Sequence, residues 1–226
     1  MEYQIHGGQL PVVIMTLAPG ERAVTEAGGM SWMSTNMKME TAMKGGLKGG
    51  LGRALAGDTV FLNTYEAQGG PGILACASSF PGSILAFDLA EGESIIAQKG
   101  AFLAGSDTIK LSIALRKKFS VGLLGGEGFV LQRIEGPGKV FLEIDGSYIK
   151  YSLKEGEQLI IDPGHMAVQS PTVQTELETV KGFKNVFLGG EGLFVAKLTG
   201  PGDVWLQTLT AANMARSIIP FIPKSN

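Results

Sequence analysis

The chain contains a long segment that is repeated within its own sequence. The stretch GGEGFVLQRIEGPGKVFLEI at 125–144 returns at 189–208 as GGEGLFVAKLTGPGDVWLQT, and the match extends without a gap from 89–144 to 153–208. Apolar, β-branched runs alternate with Gly-Pro-Gly in both copies, and this pattern is typical of strands separated by turns. We therefore predict that each stretch forms a β-hairpin and that the chain is all-β.

A third, weaker copy precedes these two. Residues 69–87 align with the GGEG stretch at an offset of 56, whereas residues 17–32 align with the start of the next copy at an offset of 72. The offsets differ by 16 residues, which indicates an insertion in the first copy. The predicted repeats span approximately 12–88, 89–152 and 153–209.

The three repeats indicate a single compact domain. Repeats of roughly sixty residues rarely bury enough apolar surface to be stable alone, so neighbouring copies are expected to share a core. We expect residues 1–226 to form one compact unit, with the repeats arranged around an approximate threefold axis and a C-terminal tail at 210–226.

Local patterns predict several elements within the repeats. The run VVIMTL at 12–17 is compatible with a buried strand, and apolar residues at every second position predict strands within 108–119 and 172–183. The tetrads APGE, AEGE and KEGE are turn sequences. Their glutamates are expected to be solvated or bonded to the backbone, and they are Glu21, Glu93 and Glu157.

The predicted insertion, residues 33–57, differs in composition from the repeats because it is rich in Met and Gly. Leucines spaced four apart among basic residues would form an amphipathic helix, but its glycines oppose a helix at roughly 1 kcal/mol each. The insertion is either a loop that packs on its own domain or a surface for a partner, a lipid or a subunit. The candidate interaction surface comprises Met37, Met43, Lys44, Leu47, Lys48, Leu51 and Arg53.

Residues with catalytic or metal-binding chemistry are few. The chain has two histidines, His6 and His165, in unrelated positions, so we expect neither a metal site of the cupin type nor a cofactor. Cys76 is the single cysteine and lies within the apolar run ILACASS, where a buried, unreactive thiol is expected. The GGEG motif precedes a strand, whereas phosphate-binding glycine loops open a helix. The sequence therefore predicts no enzyme.

The two ends of the chain predict location and contacts. The start MEYQIHGGQLPVV lacks the features of a signal peptide, so a cytoplasmic location is expected. Near the other end, TAANMARS favours a short helix, and the two prolines of IIPFIP exclude an interior strand or helix. We expect this apolar tail to cover the protein's own core or a neighbouring subunit.

Four features in one order give the chain a family resemblance: the GGL insertion, the following RALAGDTVFLNTYEA, the GGEG and GPG turns, and the IIPFIP tail. The chain resembles, over essentially its whole length, the bacterial branch of the altered-inheritance-of-mitochondria (Aim) proteins, also described as TRAP-like. The resemblance implies short double-stranded β-helix units, which the tryptophan-responsive RNA-binding attenuation protein also uses. Mitochondrial members are associated with inner-membrane organisation and respiratory complexes, and the family supplies no catalytic residues.

The expected function is that of a non-enzymatic scaffold or interaction protein. We expect a homo-oligomer with an unknown protein partner and a peripheral membrane contact through the insertion and the tail. The alternatives are an RNA-binding module of the TRAP-like type and a small-molecule-binding protein. Readers of single-stranded RNA need basic grooves with stacking aromatic residues, and a net charge of -2 with 4 Tyr and 2 Trp argues against nucleic acid.

Overall fold

The computed structural model describes residues 1–42, 62–117, 128–179 and 194–222. The strands in these ranges are β1 Glu2–His6, β2 Val12–Leu17, β3 Arg22–Glu26, β4 Trp32–Met33, β5 Met37–Ala42, β6 Leu62–Ala67, β7 Gly72–Ala77, β8 Gly82–Leu89, β9 Ser94–Gln98, β10 Phe102–Ser106, β11 Lys110–Lys117, β12 Phe129–Glu135, β13 Gly138–Asp145, β14 Tyr148–Leu153, β15 Gln158–Ile161, β16 Met166–Gln169, β17 Gln174–Thr179, β18 Phe194–Thr199 and β19 Gly202–Gln207. One helix, α1, spans Ala211–Ile218, and 3-10 turns span Pro163–His165 and Ile219–Phe221. The protein is therefore all-β with one short helix in its described part.

The described strands form antiparallel sheets that we number in chain order. Sheet 1 has the order β1-β2-β7-β4, sheet 2 β5-β6-β3-β10-β13-β8, sheet 3 β11-β12-β9-β16-β19-β14 and sheet 4 β15-β18-β17. Each strand of sheet 3 comes six strands after the strand at the same place in sheet 2. The two large sheets therefore have the same connectivity.

Apolar clusters occupy the spaces between successive sheets. Within the described residues, one cluster joins sheets 1 and 2, a second joins sheets 2 and 3, and a third joins sheets 3 and 4. Members of these clusters, in the same order, are Met15 and Tyr65, Leu142 and Ile134, and Leu131 and Leu198. The described core is thus divided into three apolar layers, and sheets 2 and 3 separate these layers from one another.

Strand β13 is buried on both of its faces because successive side chains point to opposite sides of a strand. Val140 and Leu142 belong to the cluster between sheets 2 and 3, whereas Phe141 belongs to the cluster between sheets 1 and 2. Full burial of a side chain of this size stabilises the fold by roughly 1.5–3 kcal/mol. This double burial explains why the middle of β13, residues 140–142, is a continuous apolar run rather than an alternating one.

The predicted hairpins at 125–144 and 189–208 are wrong. Strand β12 pairs with β9 and β11 in sheet 3, whereas β13 pairs with β8 and β10 in sheet 2. Strands β18 and β19 are divided between sheets 4 and 3 in the same way. Each of these strands has a hydrogen-bonded neighbour on both of its edges, which a two-stranded hairpin does not provide.

The turn Gly136-Pro137-Gly138 carries the chain from sheet 3 to sheet 2. Gly138 has a φ of +143°, and a Cβ at this position would lie 2.8 Å from the Cβ of Ser106. Only glycine fits this conformation and this close approach. The turn that was predicted to close a hairpin therefore connects two layers of the fold.

Several local predictions are confirmed. The run at 12–17 is strand β2, the alternating segments contain β11 and β17, and TAANMARS forms all but the last residue of α1. The turn glutamates bond to the backbone: Glu21, Glu93 and Glu157 accept hydrogen bonds from the backbone N–H groups of Ala18, Ala90 and Lys154, each at 2.8 Å. These features depend on neighbours in sequence, so the sequence pattern was sufficient to predict them.

The predicted match of 69–87 to the GGEG stretch is wrong. The match would make β7 the counterpart of β12. In the sheets, however, β7 lies between β2 and β4, and β13 lies between β8 and β10, so the counterpart of β7 is β13.

The predicted insertion also includes regular structure, because β5 pairs with β6 along its whole length, from Met37 opposite Ala67 to Ala42 opposite Leu62. The Gly-rich residues 43–57 lie outside the described ranges.

Candidate functional site

A cavity of about 740 Å³ lies where the ends of β9, β13 and β19 approach helix α1. Apolar side chains from Phe80, Val130 and Ile219 line part of it. Polar side chains from the strand ends and the helix line the rest, and they are Gln98, Glu143, Asp145, Gln207 and Arg216. The cavity therefore combines an apolar wall with converging hydrogen-bonding groups, as small-molecule sites do.

Gln207 connects three elements around the cavity. Its side-chain amide donates to the carbonyl oxygen of Gly164 at 2.9 Å and to Oε1 of Gln98 at 3.2 Å. Its Oε1 accepts a hydrogen bond from the backbone N–H of Asp145 at 3.2 Å. Because Gln207 is buried, these bonds compensate for the loss of water around its amide. The residue holds β9, β13 and the 3-10 turn before β16 in fixed relative positions.

Glu143 holds the loop that precedes β8. Its carboxylate accepts hydrogen bonds from the hydroxyl of Ser78 at 3.0 Å and from both the backbone N–H and the hydroxyl of Ser79, each at 2.8 Å. Charge-assisted hydrogen bonds of this kind are stronger than neutral ones. Glu143 therefore fixes the cavity wall formed by Ser79 and Phe80.

Asp145 is a titratable group of the cavity whose pKa departs from its ordinary value. Burial raises the pKa of its carboxyl to about 6, and the charge of nearby Glu143 acts in the same direction. Burial disfavours the ionised form because the carboxylate loses hydration. Asp145 can therefore exchange a proton close to neutral pH in contact with the cavity.

Helix α1 covers one side of the cavity. It begins after Thr210, whose hydroxyl accepts a hydrogen bond from the backbone N–H of Asn213 at 3.1 Å. Ala211, Ala212 and Ala215 face the cavity. Small side chains on this face leave the space beneath the helix open.

The tail after α1 does not bury its apolar side chains. Phe221 is 84% exposed, and Ile218, Ile219 and Ile222 are also exposed. Residues up to Ile222 therefore do not cover the protein's own core, which was one of the two expected covers, and the other, a neighbouring subunit, stays a prediction. Any cover for this surface must come from outside the described part of the chain.

The predicted interaction surface is not assembled by the structure. Met37 begins β5 and is 6% exposed, because its side chain points into the cluster between sheets 1 and 2. It is therefore a core residue and not part of a surface. The other members lie outside the described residues: Met43, Lys44, Leu47, Lys48, Leu51 and Arg53.

The residues that were singled out for chemistry lie elsewhere. Cys76 is buried in β7, and burial raises the pKa of its thiol to about 12, which keeps it protonated. His165 lies in the 3-10 turn before β16, with Nδ1 2.7 Å from the carbonyl oxygen of Gln207. The described ranges contain no group of three or more His, Cys, Asp or Glu side chains arranged to hold a metal ion.

Sequence reasoning missed the polar residues of the cavity, although one signal was present. Glu143 and Gln207 occupy the same position in the two copies, directly after the apolar runs VFL and VWL. A polar residue at the same place after two apolar runs indicates buried hydrogen bonding. Gln98 and Asp145 become part of the site only through the pairing of distant strands.

None of the helices within the described residues is long and apolar enough to cross a membrane.

Comparison with known proteins agrees with the fold. The family model described as mitochondrial biogenesis AIM24 matches residues 3–209. The chain is 28% identical over 228 residues to the uncharacterized protein M6_Spy0233 of Streptococcus pyogenes serotype M6, covering 96% of this chain and 89% of that protein. It is similar to the X-ray crystal structure of SPYM3_0169 from Streptococcus pyogenes, with a TM-score of 0.78, 25% identity and coverage of 98% of this chain and 99% of that one. The chain therefore belongs to the AIM24 family, and these bacterial relatives support its bacterial branch.

Proposed function

We propose that the chain consists of three copies of one six-stranded unit of the TRAP-like, double-stranded β-helix type. The units would be β2 to β7, β8 to β13 and β14 to β19, arranged with pseudo-threefold symmetry. The support is that β2-β7-β4, β8-β13-β10 and β14-β19-β16 are paired in the same order, as are β3-β6-β5, β9-β12-β11 and β15-β18-β17. On this proposal the first unit begins where the sequence analysis placed it, whereas the second and third units each begin one strand earlier, at β8 and β14.

The function we propose for this arrangement is that of a non-enzymatic scaffold that assembles into oligomers. One observation carries the proposal: large apolar side chains are exposed on the first and last units, whereas those of the central strand β13 are buried on both of its faces. The exposed residues include Trp32 and Ile73 on sheet 1, Ile149 and Tyr151 on β14, and Ile160 on sheet 4. Exposed apolar surface of this kind marks protein or membrane contacts in soluble proteins.

The molar mass in solution tests the scaffold proposal. Light scattering coupled to size exclusion is expected to give a multiple of 23.8 kDa. Purification from cytosolic and membrane fractions of the native cell, each followed by identification of co-purifying proteins, is expected to reveal a partner. A monomer in both fractions with no partner would contradict the proposal.

The exposed tail supports a peripheral contact with a membrane or a membrane complex. Ile219, Phe221 and Ile222 form an apolar group after an amphipathic helix that carries Arg216 on its last turn. We expect the full chain to co-sediment with vesicles that contain anionic lipid, and the variant Phe221→Ser with Ile222→Ser to remain in the supernatant. The matched control is Ile149→Ser, an exposed isoleucine on β14. Equal sedimentation of the three proteins would exclude a contact through the tail.

A second candidate function, binding of a small molecule, is favoured by the cavity itself. Its volume of about 740 Å³ is in the range of ligand sites, and Gln98, Asp145 and Arg216 supply polar groups. Native mass spectrometry of protein purified from its own cell is expected to detect an added mass. The variant Ala215→Trp, which fills the cavity from the helix, is expected to lose it. A wild-type protein without added mass would argue against this candidate and leave the scaffold proposal unaffected.

A further inference from the structure

The cavity beneath α1 contains two carboxylates from one strand. Glu143 and Asp145 are two positions apart on β13, so their side chains lie on the same face of that strand. Both residues line the cavity, and both are half-buried. Their carboxylates are close enough for the charge of Glu143 to raise the pKa of Asp145. One wall of the cavity is therefore acidic.

The Asp145 carboxylate has no counterion among the described residues. The hydrogen bonds of Asp145 are made by its backbone, whose N–H donates to Gln207 and whose carbonyl oxygen accepts from the N–H of Leu209 at 3.1 Å. Asp88, in contrast, is neutralised by Lys139 at 2.6 Å, although Asp88 is mostly exposed. Asp145 is therefore a partly dehydrated negative charge that the described protein leaves unpaired.

The repeated sequence does not require an acid at this position. Leu209 follows Asp145 by the same 64-residue offset that relates the two copies, so the third repeat ends its strand without a carboxylate. Burial of an unpaired carboxylate costs free energy because the ionised group loses hydration. A ligand that supplies the missing positive charge would offset this cost.

The basic residues of the cavity do not supply that charge. Lys99 and Arg216 also line the cavity, but both are exposed. Neither lowers the pKa of Asp145, as a cation in contact with the carboxylate would. Arg216 instead donates to Oδ1 of Asn213 on its own helix at 3.4 Å. Exposed cations keep their hydration, whereas the half-buried carboxylate does not, so the cavity favours a cation over an anion.

Both carboxylates have acceptor positions left for an ammonium group. An ionised carboxylate offers about four lone-pair positions. Those of Glu143 accept hydrogen bonds from Ser78 and Ser79, and one position remains after these three bonds. Those of Asp145 accept none from the described residues. A primary ammonium carries N–H donors and no acceptor, so it matches what the two carboxylates leave open.

The rest of the cavity suits an apolar group. Phe80, Val130 and Ile219 line it, and the alanine face of α1 leaves room beneath the helix. The volume of about 740 Å³ is in the range of sites that enclose a whole small molecule, far more than an ammonium ion fills. A ligand that occupies this space therefore has an apolar body as well as a charge.

We propose that the cavity binds an organic amine. The protonated nitrogen binds Asp145 beside Glu143, and the alkyl or aromatic body packs against Phe80 and Val130 beneath α1. This assignment rests on the small-molecule candidate described above and names the class of its ligand.

Probes of equal chain length and different charge test the proposal: octylamine, octanol and octanoate. Calorimetric titration at pH 7 is expected to show octylamine binding about tenfold or more tightly than octanol, because a charged hydrogen bond distinguishes the two. Octanoate is expected to bind more weakly than octanol, because its charge is repelled by the two carboxylates. Equal affinity for octylamine and octanol, or tighter binding of octanoate, would overturn the inference.

The variant Asp145→Asn tests the residue that is assigned to the nitrogen. It is expected to bind octylamine about tenfold more weakly than the wild type and to bind octanol unchanged. The matched control, Asp88→Asn, removes an exposed carboxylate from β8 outside the cavity and is expected to bind octylamine as the wild type does. Circular dichroism verifies that both variants are folded. Undiminished preference for octylamine in Asp145→Asn would contradict the assignment.

The pH dependence of binding provides a second readout. Affinity for octylamine is expected to fall as pH falls from 7 to 5, because protonation of Asp145 removes the charge that the ammonium binds. The other charged groups that face the cavity are Glu143, Lys99 and Arg216. Asp145→Asn retains all three, so it is expected to lack this decline. An equal decline in both proteins would assign the effect to another group and overturn the role of Asp145.

The variant Ala215→Trp separates this inference from the small-molecule candidate on which it rests. Because it fills the cavity, it is expected to lose binding of every probe. If the wild type binds the three probes equally and Ala215→Trp loses them, the cavity binds small molecules without selecting a cation: the inference fails and the candidate stands. If no probe binds the wild type, the inference fails, and the native mass spectrum decides the candidate by itself.

Discussion

The ring of Phe87 meets the indole of Trp205 edge-on, with ring centroids 5.5 Å apart and an interplanar angle of 82°. The contact joins β8 of sheet 2 to β19 of sheet 3 and therefore two of the proposed units. Edge-to-face aromatic pairs contribute about 0.5–1.5 kcal/mol beyond the burial of their surface. The coupling energy of this pair therefore reports how strongly this contact stabilises the two units against one another.

Alanine at either position of this pair is expected to lower the free energy of unfolding by about 2 kcal/mol. This loss is smaller than for a fully buried aromatic side chain, because both side chains are half-buried. A double-mutant cycle of Phe87→Ala and Trp205→Ala in urea should give a coupling energy of about 1 kcal/mol. The control Phe221→Ala removes an exposed ring and should change stability little. Strict additivity would show that the units do not interact through this contact.

Replacing Gln207 with Leu is expected to destabilise the fold by about 1–3 kcal/mol. The change leaves the carbonyl of Gly164, Oε1 of Gln98 and the backbone N–H of Asp145 without their partner. Chemical denaturation measures the loss. The matched control is Gln158→Leu on β15, where the side chain is exposed, and it should leave stability nearly unchanged.

Asp145 is expected to make stability fall as pH rises from about 4 to about 6. Its folded-state pKa is raised from 3.8 to about 6 by burial and by Glu143, so the folded state binds the proton more tightly than the unfolded chain in this window. The contribution of Asp145 to stability is fully present below its unfolded pKa of 3.8 and is lost as pH rises through its folded pKa of about 6. Because the group is only half-buried, the loss should be on the order of 1 kcal/mol.

The variant Asp145→Asn tests this dependence. It has the same shape without the titration, so it should be more stable than the wild type at pH 7 and should lose that advantage near pH 4. Thermal unfolding at a series of pH values makes the comparison. Parallel stability curves for the two proteins would show that Asp145 does not titrate in the window.

Cys76 is expected to be unreactive in the native protein. Its thiol is buried in β7, and burial raises its pKa to about 12, so almost no thiolate forms at neutral pH. A colorimetric thiol assay should detect no reaction in buffer and one thiol per chain in denaturant. Rapid labelling of the native protein would indicate that sheet 1 opens.

Binding of single-stranded RNA is expected to be weaker than submicromolar at about 150 mM salt. The net charge is -2, and several basic side chains are already paired with carboxylates. The paired residues are Arg22, Lys38, Lys139, Lys150 and Lys197. Fluorescence anisotropy with a labelled oligonucleotide tests the prediction, and submicromolar binding would favour the RNA-binding alternative.

Local sequence by itself determined the strands and the turns between them. The alternation in β11, the apolar run of β2 and the turn that precedes Glu93 each depend on residues within a few positions, because side-chain period and turn conformation are local properties. The ungapped offset between 89–144 and 153–208 also determined that β9 to β13 and β15 to β19 occur in the same order.

Tertiary structure alone decided which strands pair and which faces are buried. The sequence on both sides of Gly136-Pro137-Gly138 is equally compatible with a hairpin and with a crossing between sheets, because an apolar strand satisfies either arrangement. Met37 was predicted to be part of an interaction surface because it lies in the Met- and Gly-rich insertion, yet pairing of β5 with β6 directs it into the core. The exposure of Ile160 differs from that of Ile96 although they are equivalent in sequence, since burial depends on whether another strand covers the edge. Strand pairing between distant residues is set by the free-energy minimum of the whole chain, to which buried apolar surface and satisfied hydrogen bonds contribute, and a local pattern does not contain that information.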